Sequence, residues 1–367
     1  MPNKLTLLLL ILLIALPIAL VYFIILHPTN ISLPQNFISS LSFVAPPKPS
    51  QFVVLSFDGS KDLKMWQATQ QFAEEMATAS TTVKFTYFVS GVYFLEKDHR
   101  LIYQAPREPR GSSLIGFASS SEDVVKRVAA INQAIVSGHE IASHANGHFD
   151  GSHWTYNDWV QEIGTFDWLL ANINTNNSGV RSDTRVNLPP RAIVGFRAPS
   201  LGNNTAMEKA LSALRYRYNA GATTNKIIWP WKNEYGIWQF PLYSMRISPE
   251  SPAFSLLMDY NLFLKQTGAR DIIKKNTPAW ESTYLETNNA YMKYFNGSYN
   301  SNRSPIYISN HFSLWNDGLY WEAMKSFARQ VCGRSDIKCV TYKELTDYLD
   351  SLPPRVLAAY QAGNFQK

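Results

Sequence analysis

The sequence lacks the usual signatures of proteins that handle nucleic acids, nucleotides or peptide bonds. Its 34 Lys and Arg against 28 Asp and Glu leave a formal charge of only +6 over 367 residues. The basic residues are scattered, with no dense Lys/Arg block, so no nucleic-acid partner is expected. No G-x-G-x-x-G or G-x-x-x-x-G-K-[ST] follows an apolar run, so no nucleotide cofactor is expected either. There is no HExxH, which removes the zinc-protease helix, and there is no internal repeat. Cysteine is scarce, with Cys332 and Cys339 the whole complement. Their closeness points to a disulfide, which persists only outside a reducing cytosol; two unpaired thiols are the alternative.

What the chain does have begins at its N-terminus. After Lys4 comes LTLLLLILLIALPIALVYFIIL, roughly 22 residues without charge and long enough to cross a hydrocarbon core. Lys4 on the N-terminal flank favours an N-terminus that stays in the cytoplasm. The reading favoured here is a membrane anchor over residues 1–27. A cleaved signal peptide is the alternative, although no small-x-small site directly follows Leu26. Either reading exports the remainder, to the cell surface, the periplasm or the medium. Residues 28–50 are rich in Pro, Ser and Asn and read as a tether. Several sequons, such as those at Asn30, Asn203 and Asn296, matter only in a host that glycosylates exported proteins.

From Gln51 the pattern alternates short apolar runs with helical stretches: VVLSF, then LKMWQATQQFAEEMA, KFTYFVS, DVVKRVAAINQAIVSG, EIASH, and so on to a last strand IKCVTY and helix KELTDYLDSL. Alternation of this kind means parallel strands joined by crossover helices. One α/β, barrel-like domain is expected over 51–352, followed by a short tail, 353–367.

Polar residues then recur at the carboxyl ends of these strands. Asp58 ends VVLSF, His144 and His148 follow EIAS in HANGH, Arg197 ends AIVGF, Asp259 ends SLLM, and His311 ends PIYISN. In a barrel such ends converge on one mouth. Two imidazoles four residues apart can converge on one metal ion where the backbone turns helically between them; two solvent-facing loop histidines are the bland alternative.

Taken together, VVLSFDGS, SGHEIASHANGH, GFRAPS and YISNHF resemble, in order and spacing, the motifs of the polysaccharide deacetylases, the NodB-homology group that includes chitin and peptidoglycan deacetylases. The resemblance spans roughly residues 51–350. It implies a distorted (β/α)7 barrel that hydrolyses acetyl groups from an N-acetylated or O-acetylated polysaccharide, with a divalent metal, zinc or a neighbour such as cobalt. It implies Asp58 as general base, Arg197 as the residue that orients and holds that base, and His144 and His148 as metal ligands. It further implies His311 as general acid, with Asp259 as the carboxylate that positions and charges it. Pro199, Trp154 and Trp315 are the candidates for contact with the sugar.

Gly59 departs from this pattern, which has an aspartate there as third metal ligand. Three consequences stay open: two histidines plus water or another carboxylate, such as Asp62 or Asp150, hold the metal; the metal is weakly held; or the chain is a non-catalytic glycan binder. His139 and His153 read as a strand-end support and a surface-loop residue. Trp159 and Trp168 share a helix and are expected to pack inward. Glu140 and Glu234 show no pairing that suggests a two-carboxylate glycosidase.

Overall fold

A computed structural model of the protein describes residues 44–366, apart from 79–80, 190 and 248–252. The expected membrane anchor and most of the tether lie outside the described residues. Among the described residues, no helix is long and apolar enough to cross a membrane. From Pro46 onward the chain forms one compact unit.

β1 (Gln51–Gly59) is buried along almost all of its length. Its run of Phe52, Val53, Val54, Leu55 and Phe57 suits a strand covered on both faces. It pairs in parallel with β2 (Phe85–Val89), β11 (Ile306–His311) and β12 (Ile337–Cys339). Beyond β2 the sheet runs on in parallel through β3 (Glu140–Ser143), β4 (Gly195–Phe196), β5 (Tyr218–Asn219) and β8 (Trp238–Gln239). β7 (Trp231–Lys232) then joins β8 antiparallel at the far edge. A separate three-stranded sheet holds β6 (Thr223–Thr224), β9 (Leu242–Met245) and β10 (Ser255–Leu256). An isolated bridge, Met258 to Ser309, links the chain just after β10 to β11.

The result is a mixed α/β fold on a curled sheet. The main path β11-β1-β2-β3-β4-β5-β8 is parallel throughout, but no ladder among the described residues joins β7 back to β11. The expected barrel is therefore not a closed ring of strands. The physical reason lies in strands β4 to β8, each only two residues long, too short to carry a continuous ladder. Over the same region the chain diverts into the small second sheet.

The crossover helices start where the sequence offers caps. The Asp62 carboxylate accepts from the backbone N–H groups of Lys64 and Met65 to open α1 (Leu63–Met76), an N-cap of the usual kind. α2 (Ser121–Val136) is capped by Ser120 and closes at Gly138, which takes φ +80°, the conformation that favours glycine there. Thr155 and Asp158 form a capping box on α3 (Tyr156–Ala171), as Thr341 and Glu344 do on α8 (Tyr342–Ser351). α4 (Thr205–Ala213), α5 (Asp259–Thr267), α6 (Pro278–Tyr299) and α7 (Trp315–Val331) complete the layer. Asp259 was expected at a strand end; it opens α5 instead, because β10 stops at Leu256. Cys332 and Cys339 form a disulfide between the end of α7 and β12.

Two boundaries differ from the sequence reading. Residues after 352 are not a tail: α9 (Pro354–Gln361) docks, with Tyr360 stacked on Trp229 at 5.3 Å. The end of the expected tether belongs to the same body, since the Tyr360 hydroxyl donates to the Pro47 carbonyl at 3.1 Å and the Gln366 N–H donates to that of Pro46 at 2.9 Å. Replacing Tyr360 by Ala should cost about 3 kcal/mol, as for a buried aromatic. Urea denaturation measures it, and a loss below about 0.5 kcal/mol, the level of an inert surface change, would return this segment to a tail.

Candidate active site

β1 and β11 bring the two ends of the chain's chemistry side by side. In their parallel register Asp58 lies opposite His311. β3 ends two strands further round with Ser143, so His144 follows at the same rim, and β4 leads into Arg197. Asp58, His144, His148 and His311 thus line one cavity of about 280 Å³, together with Ala198, Ser200, Leu201, Met258, Tyr260 and Asn261.

Asp58 and Arg197 are both buried, and Nη1 of the guanidinium donates to Oδ1 of the carboxylate at 2.6 Å. The other guanidinium groups are also spoken for. Nε donates to the Ala220 carbonyl at 2.9 Å, Nη1 to Ser56 Oγ at 3.3 Å, and Nη2 to Ser309 Oγ and to the Tyr342 hydroxyl, each at 3.1 Å. The Phe88 ring covers one face at 4.2 Å. Burial pushes the Asp58 carboxyl up, but Arg197, His144 and His311 more than offset this and hold it below the ordinary carboxylate value. A buried carboxylate stays ionised only with such partners.

His311 carries the opposite bias. Its Nδ1 lies 2.7 Å from Asp259 Oδ1, and its backbone N–H donates to Asp259 Oδ2 at 2.7 Å. Burial pulls the imidazole down, yet the Asp259 charge and hydrogen bond outweigh it, so its pKa is raised above 6.5. With Nδ1 tied to Asp259, Nε2 is the nitrogen left to serve the cavity.

His144 and His148 face each other with ring centroids 5.2 Å apart. Burial lowers both, His144 to about 3, which favours the neutral form of each ring. His144 Nδ1 lies 2.8 Å from the Arg197 carbonyl. A neutral ring that donates from Nδ1 presents the Nε2 lone pair, the arrangement that orients metal-ligating histidines. The donor chemistry therefore suits a first-row divalent cation. The set is short, however: among the described residues no group of three or more His, Cys, Asp and Glu has the geometry to hold a metal.

Position 59, where the resembled motif carries an aspartate, is a glycine here. Gly59 takes φ +86°, and a Cβ there would meet nothing within 4 Å. Space for a ligand side chain exists without one to fill it. Neither carboxylate considered as a substitute reaches the site. Asp62 caps α1, and Asp150 is exposed, with Oδ1 accepting from the Ser152 N–H at 2.9 Å. Neither lines the cavity.

The sugar-contact candidates divide. Trp315 stacks on Phe263 at 5.0 Å and lies 5.7 Å from His311, beside the cavity. Trp154 is buried against Trp159, with centroids 4.9 Å apart, so its ring belongs to the core and not to the cavity lining. Pro199 is buried in a short 3-10 turn, and its neighbours Ala198, Ser200 and Leu201 do the lining. His139 accepts the Phe85 N–H at Nδ1, a strand-end role, and His153 is exposed. Trp168, expected inward, is 46% exposed. The residues that sequence reasoning missed are Ser56, Ser309 and Tyr342 behind Arg197, and Tyr260 and Asn261 on the lining. The two serines sit in the apolar runs VVLSF and YISN, where a small hydroxyl on a buried strand was the available signal; Tyr342 gave none.

No family model and no curated protein sequence matches the chain. Among solved structures it is similar to a Mycobacterium smegmatis protein assigned as a polysaccharide deacetylase, at 15% identity and a TM-score of 0.48 over 85% of this chain and 97% of that one. It is also similar to a family 4 acetyl xylan esterase from Clostridium thermocellum solved with cobalt, at 14% identity and a TM-score of 0.43 over 82% and 93%. A third is a CE4 family pseudoenzyme from Bacillus anthracis, at 7% identity and a TM-score of 0.41 over 83% and 68%. The functional reading below rests on the site and its motifs.

Arg197→Met should destabilise the protein by about 3–5 kcal/mol at pH 7, because Asp58 is left buried and uncompensated. Burial would then raise the Asp58 pKa above its unfolded value, so the deficit should shrink as pH falls below that raised value and the carboxyl takes a proton. The double variant with Asp58→Asn should recover part of the loss. Denaturation curves at pH 7 and pH 5 test this; equal deficits at both, with no recovery in the double variant, would contradict it.

Proposed function

We propose that this chain is a carbohydrate deacetylase of the polysaccharide deacetylase kind, acting outside the cytoplasm on an acetylated glycan. The observation that carries the reading is the pairing of opposite proton affinities on adjacent strands. Asp58 is held toward its ionised form by Arg197, and beside it His311 is biased toward its protonated form by Asp259. A base and an acid set apart in this way are what hydrolysis of an amide or ester needs.

Asp58 takes a proton from the attacking water, and His311 returns one from Nε2 to the departing amine or hydroxyl, giving acetate and the free sugar group. Asp58 with a depressed pKa is a weak base, so the water must be acidified by something else. His144 and His148 would hold a divalent cation, zinc or a neighbour such as cobalt, which when bound would supply that acidification by bringing the pKa of water to about 7. Trp315 and Tyr260 offer the sugar an aromatic edge beside His311. The disulfide and the apolar run before residue 27 support a location outside the reducing cytosol.

Acetate released from chitooligosaccharides, peptidoglycan fragments and acetylated xylan, with zinc or cobalt added, tests the reading. Asp58→Asn should lose about 10²–10⁴-fold, the scale of general-base catalysis. Activity in the wild type should fail as pH rises through the raised His311 pKa; in Asp259→Asn that basic limb should move to lower pH. A limb that stays in place would remove His311 from the acid role.

The second reading is a glycan binder without catalysis, and Gly59 is the observation that favours it. Gly59→Asp distinguishes the two. The added carboxylate has room, at a backbone strain of about 1–3 kcal/mol. A hydrolase short of one ligand should gain acetate release on substitution. A wild type that holds the glycans and releases no acetate, from a chain that Gly59→Asp switches on, would be the binder.

A further inference from the structure

The loop that carries the two histidines has an unusual shape and a backbone tied down by partners from several elements, although Asn146 Oδ1 is buried without one. Ala145 and His148 take φ of 51° and 64°, a region non-glycine residues occupy only where the surroundings over-determine them. Between them, the backbone is bonded at nearly every group. The Ala145 carbonyl accepts from the Gly91 N–H at 2.9 Å, and its own N–H donates to Ser143 Oγ at 3.2 Å. The Asn146 N–H donates to Glu162 Oε1 at 3.0 Å, and its side-chain amide donates to the Glu162 carbonyl at 2.8 Å. The Gly147 N–H donates to the Tyr103 hydroxyl at 3.0 Å, and the Gly147 carbonyl accepts from the Leu114 N–H at 2.9 Å.

Two side chains join these bonds. The Tyr103 hydroxyl donates onward to Glu162, at 2.9 Å to Oε1 and 3.1 Å to Oε2. Tyr103 is fully buried and Glu162 is 1% exposed. Glu162 interrupts the apolar face of α3 made by Trp159, Ile163, Phe166 and Leu169, so an acid stands where a hydrophobe would pack. Gly147 leaves the room: a Cβ there would lie 2.8 Å from the Tyr103 oxygen and 2.7 Å from the Phe149 ring. The segment 91–118 between β2 and α2 thus delivers Gly91, Tyr103 and Leu114 to the single three-residue stretch Ala145–Gly147.

We propose that Tyr103 and Glu162 are positioning residues, which hold the Ala145–Gly147 turn so that His144 and His148 present their rings to one metal ion, in place of the restraint that a third ligand at position 59 would impose. This rests on the reading of those histidines as the metal-holding pair. With only two protein donors, each imidazole must be fixed by its own shell. His144 has the Arg197 carbonyl; His148, in a left-handed conformation at the end of the turn, depends on the turn itself. Tyr103→Phe removes one oxygen and, with it, both the acceptor for Gly147 and the donor to Glu162, while the ring volume stays.

The test uses the full chain labelled with ¹³C at histidine Cε1, stripped with chelator, and then titrated with cobalt(II) followed by visible absorption. Tyr103→Phe should move the ring resonances of His144 and His148 in the metal-free protein and leave those of His139 and His153 in place. Cobalt affinity should fall about 10- to 100-fold, the range for losing a group that orients metal ligands. Glu162→Gln, which keeps the shape and one acceptor, should fall less than Glu162→Ala, and it carries the test if Tyr103→Phe does not fold. Tyr299→Phe, which loses a hydroxyl bond to Asp336 of 2.7 Å elsewhere in the fold, should change neither readout. Unmoved resonances with cobalt affinity within about twofold of wild type would overturn the proposal while leaving the metal site standing. A wild type that takes up no cobalt, with the two resonances still moved by Tyr103→Phe, would uphold the positioning role and overturn the metal-dependent reading of the site.

Discussion

The ion pair between Arg197 and Asp58 is the constraint on which the site depends. Both groups are out of water, and charges so placed are tolerated only when paired and hydrogen-bonded. The fold meets that demand from several strands at once. Ser56 on β1, Ser309 on β11, the Ala220 carbonyl just after β5 and Tyr342 at the start of α8 all converge on one guanidinium. A carboxylate held in this way stays ionised, and it is fixed at the carboxyl end of the central strand, where it borders the cavity.

The same rim sets its neighbours in opposite states. Asp259 raises His311, while burial lowers His144 and His148. Three imidazoles around one cavity are therefore biased in opposite directions, His311 toward the cation and His144 and His148 toward the neutral ring. The division comes from what opposes burial at each ring: the Asp259 carboxylate outweighs it at His311, whereas the Asp58 charge and the Arg197 carbonyl do not outweigh it at His144. Gly59 is the exception within this order, a place with room for a side chain and none present. The chemistry proposed here asks the two neutral rings to hold a metal without that help.

Much of this was legible in the sequence, for identifiable reasons. Strands β1, β2, β3 and β11 show as apolar runs because they are buried on both faces, and β1, β3 and β11 each deliver a polar residue at the same end. His144, His148, Arg197 and His311 could be found because strand ends are easy to locate. Asp259 was found, but in the wrong element, because a two-residue strand leaves almost no pattern. The same brevity hid the open edge of the sheet. Trp154, on the loop before α3, and Trp168, on α3, were misjudged in opposite directions, since neither a loop position nor helical spacing says which aromatic faces solvent. The docking of α9 was hidden because its contacts, to Trp229 and Pro47, join distant parts of the chain. Arg197's supporting hydroxyls were hidden for the same reason.

The central claim is that the cavity bordered by Asp58 and His311 is a metal-assisted hydrolytic site despite the glycine at position 59. The most direct measurement is the metal content of the purified protein, prepared without chelator, beside a His144→Ala/His148→Ala double variant. The account predicts close to one equivalent of a divalent metal in the wild type and none in the double variant. Absence of metal from both, even after incubation with excess zinc or cobalt, would contradict it.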